Sequence, residues 1–557
     1  MLLSFVINAQ QVYFNWAKQI GGVGNDFGNS IVKDIYGNTY STGAFSGTVD
    51  FDPGIGVVNL TSKGGSDIFI TKLNANGNFI WVKQIGGNLD DVGSSIVIHN
   101  QDNLYLTGLF RDKVDFDLKA GVSNLTSKGG DDIFILKLNL SGNFIWVKQI
   151  GGKGTQESHD ITVDKNGSIL TTGSFTNTTD FDPGLDSFIY TSQFTNALFI
   201  SKLDSSGGFL WAKKFESFAW NQSISITTDL SGNVIFTGNF GAEMDFNPGS
   251  SVFKLTTLPD SFDAFVCKLN PMGDFVWAKQ LGGSKFSLGT SIITDKLRNI
   301  FTTGFFSGKV DFDPSIGKIY YLNAKSQAYG AFISKLDSLG NFVWSKQLGG
   351  NFDATGSSLK IDRLGNIYSS GQFIGKEDFD PGTGVFNLQS TNGYDAYVSK
   401  LDPSGNFIWA KNFGGSTQTG INDFVLDDFG NIYSTGYFEE ESDFDSESGI
   451  FKLTSNGGID IFTHKLGINP LGINPFENES SLAIYPNPNN GNAIISFEKA
   501  TKNGSIKIIN CFGQIVFSQN DVSESNYEIN ISDKPNGIYF IELINDNNAL
   551  RAKLIKD

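Results

Sequence analysis

Pairs of aspartates recur at a nearly constant step along this sequence: Asp50 and Asp52, Asp115 and Asp117, Asp180 and Asp182, Asp311 and Asp313, Asp378 and Asp380, Asp443 and Asp445, with Asp245 standing beside Asn247. Each pair flanks a phenylalanine. In extended backbone, residues i and i+2 point the same way, so two carboxylates face one side while the ring buries on the other. Oxygen-rich pairs suit Ca²⁺, which takes about six to eight hard ligands. Two carboxylates fall far short of such a cage, and the loss of the second Asp at Asn247 suits a loop that clamps its own backbone. These aspartates are therefore candidate calcium ligands with a structural clamp as the competing role, and no other cofactor is indicated.

Other chemistry is sparse. The histidines are His99, His159 and His464, with His159 expected just before a strand, and none lies in a His/Cys cluster of zinc spacing. Cys267 and Cys511 are far apart and imply no disulfide framework. No Gly-x-Ser-x-Gly elbow or phosphate loop is present. A hydrolase built on two carboxylates leaves no linear trace, so catalysis stays open beside the favoured non-catalytic role. One stretch breaks the periodic pattern, Phe215 to Asn221, and its extra Trp220 is the candidate ligand patch. The net charge of −17 repels nucleic acid and anionic lipid. No run of about 18 apolar residues provides a membrane-spanning helix.

The elements that position these residues follow a second marker. Trp16, Trp81, Trp146, Trp211, Trp277, Trp344 and Trp409 are spaced 65, 65, 65, 66, 67 and 65 residues apart, so seven copies of one unit fill most of the chain. Each unit reads as four strands of period two, with no helical periodicity of comparable length. In the first copy, Asn29 to Ile35 turns into Thr39 to Ala44; a loop expected over Phe45 to Ser66 carries the Asp-Phe-Asp motif; Asp67 to Leu73 then turns into the tryptophan strand. Both short turns have an Asp positioned to accept their N–H groups and a Gly to supply positive φ, as at Asp164, Asp362 and Asp427, and at Asp204, Asp337 and Asp402. The second-strand glycines, from Gly43 to Gly436, indicate close packing or a bulge.

Four-stranded units stack either as an open solenoid or radially, and the chain ends choose between them. Val12 to Ile20 is a fourth strand with no preceding three, and the last unit has three strands with no fourth. The surplus strand can complete the last unit and remove the free edges. The expected fold is all-β: a seven-bladed β-propeller over residues 11–466 closed by the N-terminal strand. The combination Asp-Phe-Asp-Pro-Gly, Asn-Leu-Thr-Ser, Asp-Ile-Phe-Ile-x-Lys-Leu and Gly-Asn-Phe-Ile-Trp-x-Lys resembles the SBBP-like propeller repeats of bacterial surface proteins, in a version common in the Bacteroidetes. That family has no single activity, so the resemblance implies fold rather than function.

Residues 467–481 read as a linker, and 482–557 as a small immunoglobulin-like β-sandwich. This tail resembles the C-terminal sorting domain of the type IX secretion system in Tyr485, Pro486, Asn487, Pro488 and Gly491 at its start, Gly513 in a hairpin, Gly537 and Tyr539 before the penultimate strand, and Lys553 and Lys556 at the end. The resemblance implies that the type IX machinery is a partner, that export passes through the periplasm, and that the product is secreted or attached to the outer-membrane surface. Residues 1–10 look like the back half of a signal peptide. The expectation is an exported binding or scaffold protein with a glycan or protein ligand on the Asp-Phe-Asp rim; a polysaccharide-acting enzyme and a structural surface-layer component are the alternatives.

Overall fold

The computed structural model describes residues 12–118, 121–194, 196–283, 285–325, 328–447, 449–468, 482–497, 504–510, 514–522, 526–544 and 549–556. Every element among them is a strand, and none is a helix. The chain separates into two compact units, residues 1–471 and 472–557.

The larger part repeats one antiparallel design. In the first unit, Phe27–Lys33, Thr39–Asp50, Asn59–Leu73 and Phe79–Ile85 pair in sequence order. In the last unit the order is Thr419–Leu426, Ile432–Asp443, Lys452–Ile468 and then Val12–Gly22 from the other end of the chain. Val12 pairs with Ile468 and Ile20 with Ile461, so the surplus strand occupies the missing place. Gly467 and Ile468, assigned to a linker from sequence, belong to this strand. Ile468 is buried against the terminal unit, which keeps the ladder going two residues further.

The stretch Phe45 to Ser66 is not the loop expected from sequence. Thr48, Val49 and Asp50 pair with Thr61, Leu60 and Asn59, which prolongs the second and third strands into a hairpin that carries the Asp-Phe-Asp motif at its tip. The same hairpin pairs with the Gly-Gly that ends the preceding tryptophan strand: Gly21 with Asp50, Gly151 with Asp180, Gly282 with Asp311, Gly414 with Asp443. A Cβ on Gly22 would lie 2.2 Å from the Thr48 carbonyl oxygen, so a residue without a side chain is needed for this approach. The Asp-Phe-Asp rings Phe51, Phe116, Phe181, Phe246, Phe312, Phe379 and Phe444 are fully buried, each worth about 1.5–3 kcal/mol of apolar burial.

The tryptophans join neighbouring units. Gly77 sits on the Trp16 indole, where a Cβ would come within 3.0 Å of the ring, and Gly142, Gly273 and Gly340 sit likewise on Trp81, Trp211 and Trp277. The third-strand lysine of one unit reaches the second turn of the next: Lys72 Nζ donates to the Leu140 carbonyl at 3.5 Å, Lys268 to Ser338 at 3.2 Å, and Lys465 of the last unit to Ala75 of the first at 3.4 Å. In the second strand, a Cβ on Gly43 would lie 1.8 Å from the Phe27 carbonyl oxygen. The space that glycine leaves is taken by a β-bulge in the first strand, between Gly28 and Ser30.

The smaller unit, residues 472–557, has two sheets among its described residues. Leu482–Tyr485, Asn492–Phe497 and Asn526–Asn530 form one; Ile515–Val522, Gly504–Asn510, Gly537–Ile544 and Ala549–Lys556 form the other. Ile495, Ile529, Ile508, Ile541 and Leu554 share one core between them.

Candidate functional site

The Asp-Phe-Asp carboxylates are turned onto their own hairpin. Asp50 Oδ1 accepts the N–H groups of Asp52 at 3.0 Å and Val58 at 2.8 Å. Asp115, Asp180, Asp245, Asp311, Asp378 and Asp443 repeat the arrangement, each accepting from the residue two further on and from one eight or nine further on. The second acid caps the tip: Asp52 Oδ1 accepts from Gly54 at 2.8 Å, and Asp182, Asp313, Asp380 and Asp445 do the same two residues on. Asp117 occupies the equivalent place in the second unit. Among the described residues no three His, Cys, Asp or Glu side chains assemble into a metal-holding group.

Around Trp220 the rim carries a strip of aromatic rings. Trp220 lies edge-on to Phe262 at 6.3 Å; Phe262 is 6.3 Å from Phe286; Phe286 stacks on Phe305 at 5.6 Å; and Phe305 meets Tyr329 edge-on at 5.2 Å. The strip crosses two units, welded where Phe262 and Phe286 form a parallel bridge. Trp220 is 46% exposed and Tyr329 38%. Sequence pointed to Trp220 as an irregularity; its partners were hidden because the positions they fill vary along the chain, Phe262 and Tyr329 sharing one that holds Ser66, Asp131, Asn196, Tyr394 and Ile459 in the other units. The counterparts of Phe305, for example, are Ala44, Leu109, Ser174, Asn239, Gln372 and Tyr437.

A second feature was not foreseen at all. The seven first strands are linked side by side in a closed circle. Ile96 N donates to Ser30 Oγ at 3.3 Å; Ser95 and Ser225 both donate to Asp160, at 2.9 and 3.0 Å; Ile292 N donates to Ser225 Oγ at 3.3 Å; Leu359 N to Ser291 Oγ at 3.2 Å; Ser358 and Ser30 both donate to Asp423, at 2.9 and 3.0 Å. The bulge of each first strand turns one extra residue toward the enclosed space, as Asn29, His159, Ile224, Thr290 and Asn422 show. His159 therefore lies within its strand at the bulge, not before it. The cavity has a volume of about 450 Å³. The signal for it was the second-strand glycine, which marks the bulge but not what the bulge faces.

His464 is buried against Phe413, with ring centroids 4.4 Å apart, and burial pushes its imidazole down to about 3. His99 ends the first strand of the second unit.

In the tail the motif residues converge on the last strand. Asn487 Nδ2 donates to the Lys553 carbonyl at 2.6 Å, and its Oδ1 accepts from Ile555 N at 2.8 Å. Lys556 Nζ reaches the Lys534 carbonyl at 2.6 Å and Asn536 Oδ1 at 3.1 Å. Tyr539 is buried, with its hydroxyl on the Pro535 carbonyl at 2.5 Å. Gly491 adopts φ +102°, and a Cβ there would lie 2.5 Å from Ser532 Cα.

Residues 483–557 match the model of the secretion system C-terminal sorting domain, and residues 145–182 and 343–372 match the beta-propeller repeat. The chain carries SBBP beta-propeller repeats and a type IX sorting domain. An uncharacterized WD repeat-containing protein of Acanthamoeba polyphaga mimivirus is 22% identical over 503 residues, covering 76% of this chain and 36% of the relative. The chain thus spans about a third of the length of that curated relative. A crystal structure of a protein of unknown function from Bacteroides caccae aligns with 62% of this chain and 89% of its own, at 12% identity and a TM-score of 0.31.

The sorting-domain match falls within the smaller unit, residues 472–557. Within it, Tyr485 is exposed and Pro486 and Pro488 flank the Asn487 contact. Gly537 pairs with Lys556 in the last ladder. Gly513 lies outside the described residues, as do residues 1–10 and all but the first two positions of the linker expected from sequence.

Proposed function

We propose that the seven units are the blades of a seven-bladed β-propeller closed by Val12–Gly22, that the sorting domain is an immunoglobulin-like sandwich, and that after export by way of the periplasm the propeller acts as a non-catalytic binding or scaffold protein. The observation that carries this reading is the aromatic strip from Trp220 to Tyr329 on the Asp-Phe-Asp rim. The Asp-Phe-Asp rings are wholly buried, whereas Trp220 and Tyr329 stay partly in water and are joined through Phe262, Phe286 and Phe305 into one continuous aromatic surface across two units, as an interaction surface requires. Ring faces and edges of this kind pack against the C–H face of a glycan or an apolar segment of a protein.

The test is a glycan and polymer array probed with the full chain, followed by a product assay on every binder. Binding without turnover supports the reading, and turnover assigns a polysaccharide-acting enzyme. Trp220→Ala is expected to weaken binding about tenfold or more, about 1.4 kcal/mol; undiminished binding by that variant removes the strip from the account.

A further inference from the structure

We propose that the cavity enclosed by the seven first strands binds a neutral pyranose sugar, either free or as the end of a short oligosaccharide. The site is distinct from the aromatic strip and does not depend on it. Its volume of about 450 Å³ falls within the range of small-molecule sites, about 300–1,000 Å³. It joins a second hollow of about 520 Å³ through Thr227, Ile293, Lys360 and Val425, and that hollow is bordered by the first-turn residues Asp229, Leu230 and Asp295. The way in is therefore from the rim of tight turns, opposite to the rim that carries Trp220.

The lining fits a molecule that is hydroxylated and uncharged. Asn29 and Asn422 spend their amide N–H on the Gly93 and Gly28 carbonyls, each at 3.0 Å, which leaves their Oδ1 atoms as acceptors. Ser94 and Ser357 add hydroxyls that both donate and accept. His159 Nε2 is buried with no hydrogen-bond partner, its nearest carboxylate being Glu157 at 4.0 Å. Burial holds that imidazole down to about 4, so at neutral pH it is an uncharged ring with one nitrogen able to accept. The donors of a sugar find their acceptors instead at Asn29 and Asn422 Oδ1 and the Ser94 and Ser357 hydroxyls, and the uncharged imidazole adds ring surface to the wall.

Between these groups the wall is apolar, with Ile224 next to the His159 position and Val32, Val97, Ile293 and Val425 below. Alternating hydroxyl and C–H surface is what a pyranose presents. Within the cavity itself, ionic ligands meet no open counter-charge among the described residues; Lys165 and Lys296 line only the outer hollow. Asp160 already accepts from Ser95, Ile161, Ser225 and Ile226, and Asp423 from Ser30, Ile31, Ser358, Lys360 and Phe424. Lys360, the cation that lines both hollows, is held on Asp423 at 3.0 Å.

The experiment is calorimetry and thermal shift on the full chain with glucose, galactose, mannose and N-acetylglucosamine, and with cellobiose, maltose and chitobiose. At least one sugar is expected to bind saturably with one site per chain. A monosaccharide that binds as tightly as its disaccharide assigns a free sugar, and a preference for the disaccharide assigns a chain end. Ile224→Phe, which fills the cavity from its wall, is expected to weaken binding at least tenfold, and His159→Phe provides a second variant should the first fail to fold. Ile55→Ala, at an exposed hairpin tip outside the cavity and the aromatic strip, is expected to leave this binding unchanged. The proposal is overturned if no sugar of the panel binds, or if binding survives the cavity variant and disappears with Trp220→Ala.

Discussion

Asp423 accepts a hydrogen bond from Ser30 Oγ at 3.0 Å although 393 residues separate them. The same carboxylate takes the Ser358 hydroxyl at 2.9 Å, so one side chain ties the last unit to both of its neighbours. Asp160 holds the second, third and fourth units in the same way through Ser95 and Ser225. Replacing Asp423 by Ala leaves buried donors without an acceptor, which costs about 1–3 kcal/mol for each group that water cannot reach. The expected outcome is a lower urea midpoint for Asp423→Ala than for Asp102→Ala, a change at an exposed position in a short turn. Equal midpoints would mean that the circle of first strands contributes nothing to closure.

Two glycines a few residues apart should behave differently. Gly43→Ala drives a Cβ to 1.8 Å from the Phe27 carbonyl oxygen, and only a shift of the first strand relieves it. Gly47 has φ +72° and open space around it, so Gly47→Ala meets only the left-handed backbone penalty, about 1 kcal/mol. Far-ultraviolet circular dichroism with urea titration is expected to show Gly43→Ala largely unfolded and Gly47→Ala folded with a slightly lower midpoint.

What could be seen in advance divides along the same line. The turn aspartates were legible because their partners are two and four residues away: Asp362 accepts from Leu364 and Asn366, each at 2.9 Å. The pairing of Val12–Gly22 with the last unit was legible because a strand was missing at one end and surplus at the other. The hairpin inside Phe45 to Ser66 was not, since a ladder of three residues per side shows no period and leans on Gly21 and Gly22 of the preceding strand. The cavity was hidden for a similar reason. Gly43 announces a bulge, but only the pairing of seven separate strands decides that Asn29 and His159 face one space.

The stability contributed by Asp91 is expected to fall as pH rises from about 5 to 8. Burial raises Asp91 to about 7 and Asp26 to about 6. A carboxyl whose pKa is higher folded than unfolded holds its proton more tightly in the folded state. Its contribution is therefore full below the unfolded value and is lost as pH climbs through the folded one. His159 and His464, pushed down to about 4 and 3, act in the opposite sense up to and through about 6.5, the ordinary histidine value, and nearly cancel the carboxyls in the wild-type profile. The Asp91 contribution is therefore read as a difference: the melting temperature of the wild type minus that of Asp91→Asn, measured at half-unit steps, is expected to fall as pH rises. A difference that grows toward pH 8 contradicts the burial argument.

The Asp-Phe-Asp pairs allow a direct contest between clamp and calcium. Asp50 Oδ1 carries the N–H groups of Asp52 and Val58, so the hairpin tip is held without an ion. Asp50→Ala is expected to lower stability by about 1 kcal/mol, the net worth of an ordinary hydrogen bond or two at a partly exposed site, and chelator is expected to leave the melting temperature of the wild type where it was. Calcium binding would give a different pattern: chelator would destabilise the wild type, added calcium would restore it, and Asp50→Ala would lose the response. Because the motif recurs in every unit, even weak sites would act together, so a flat thermal response across a calcium titration is strong support for the clamp.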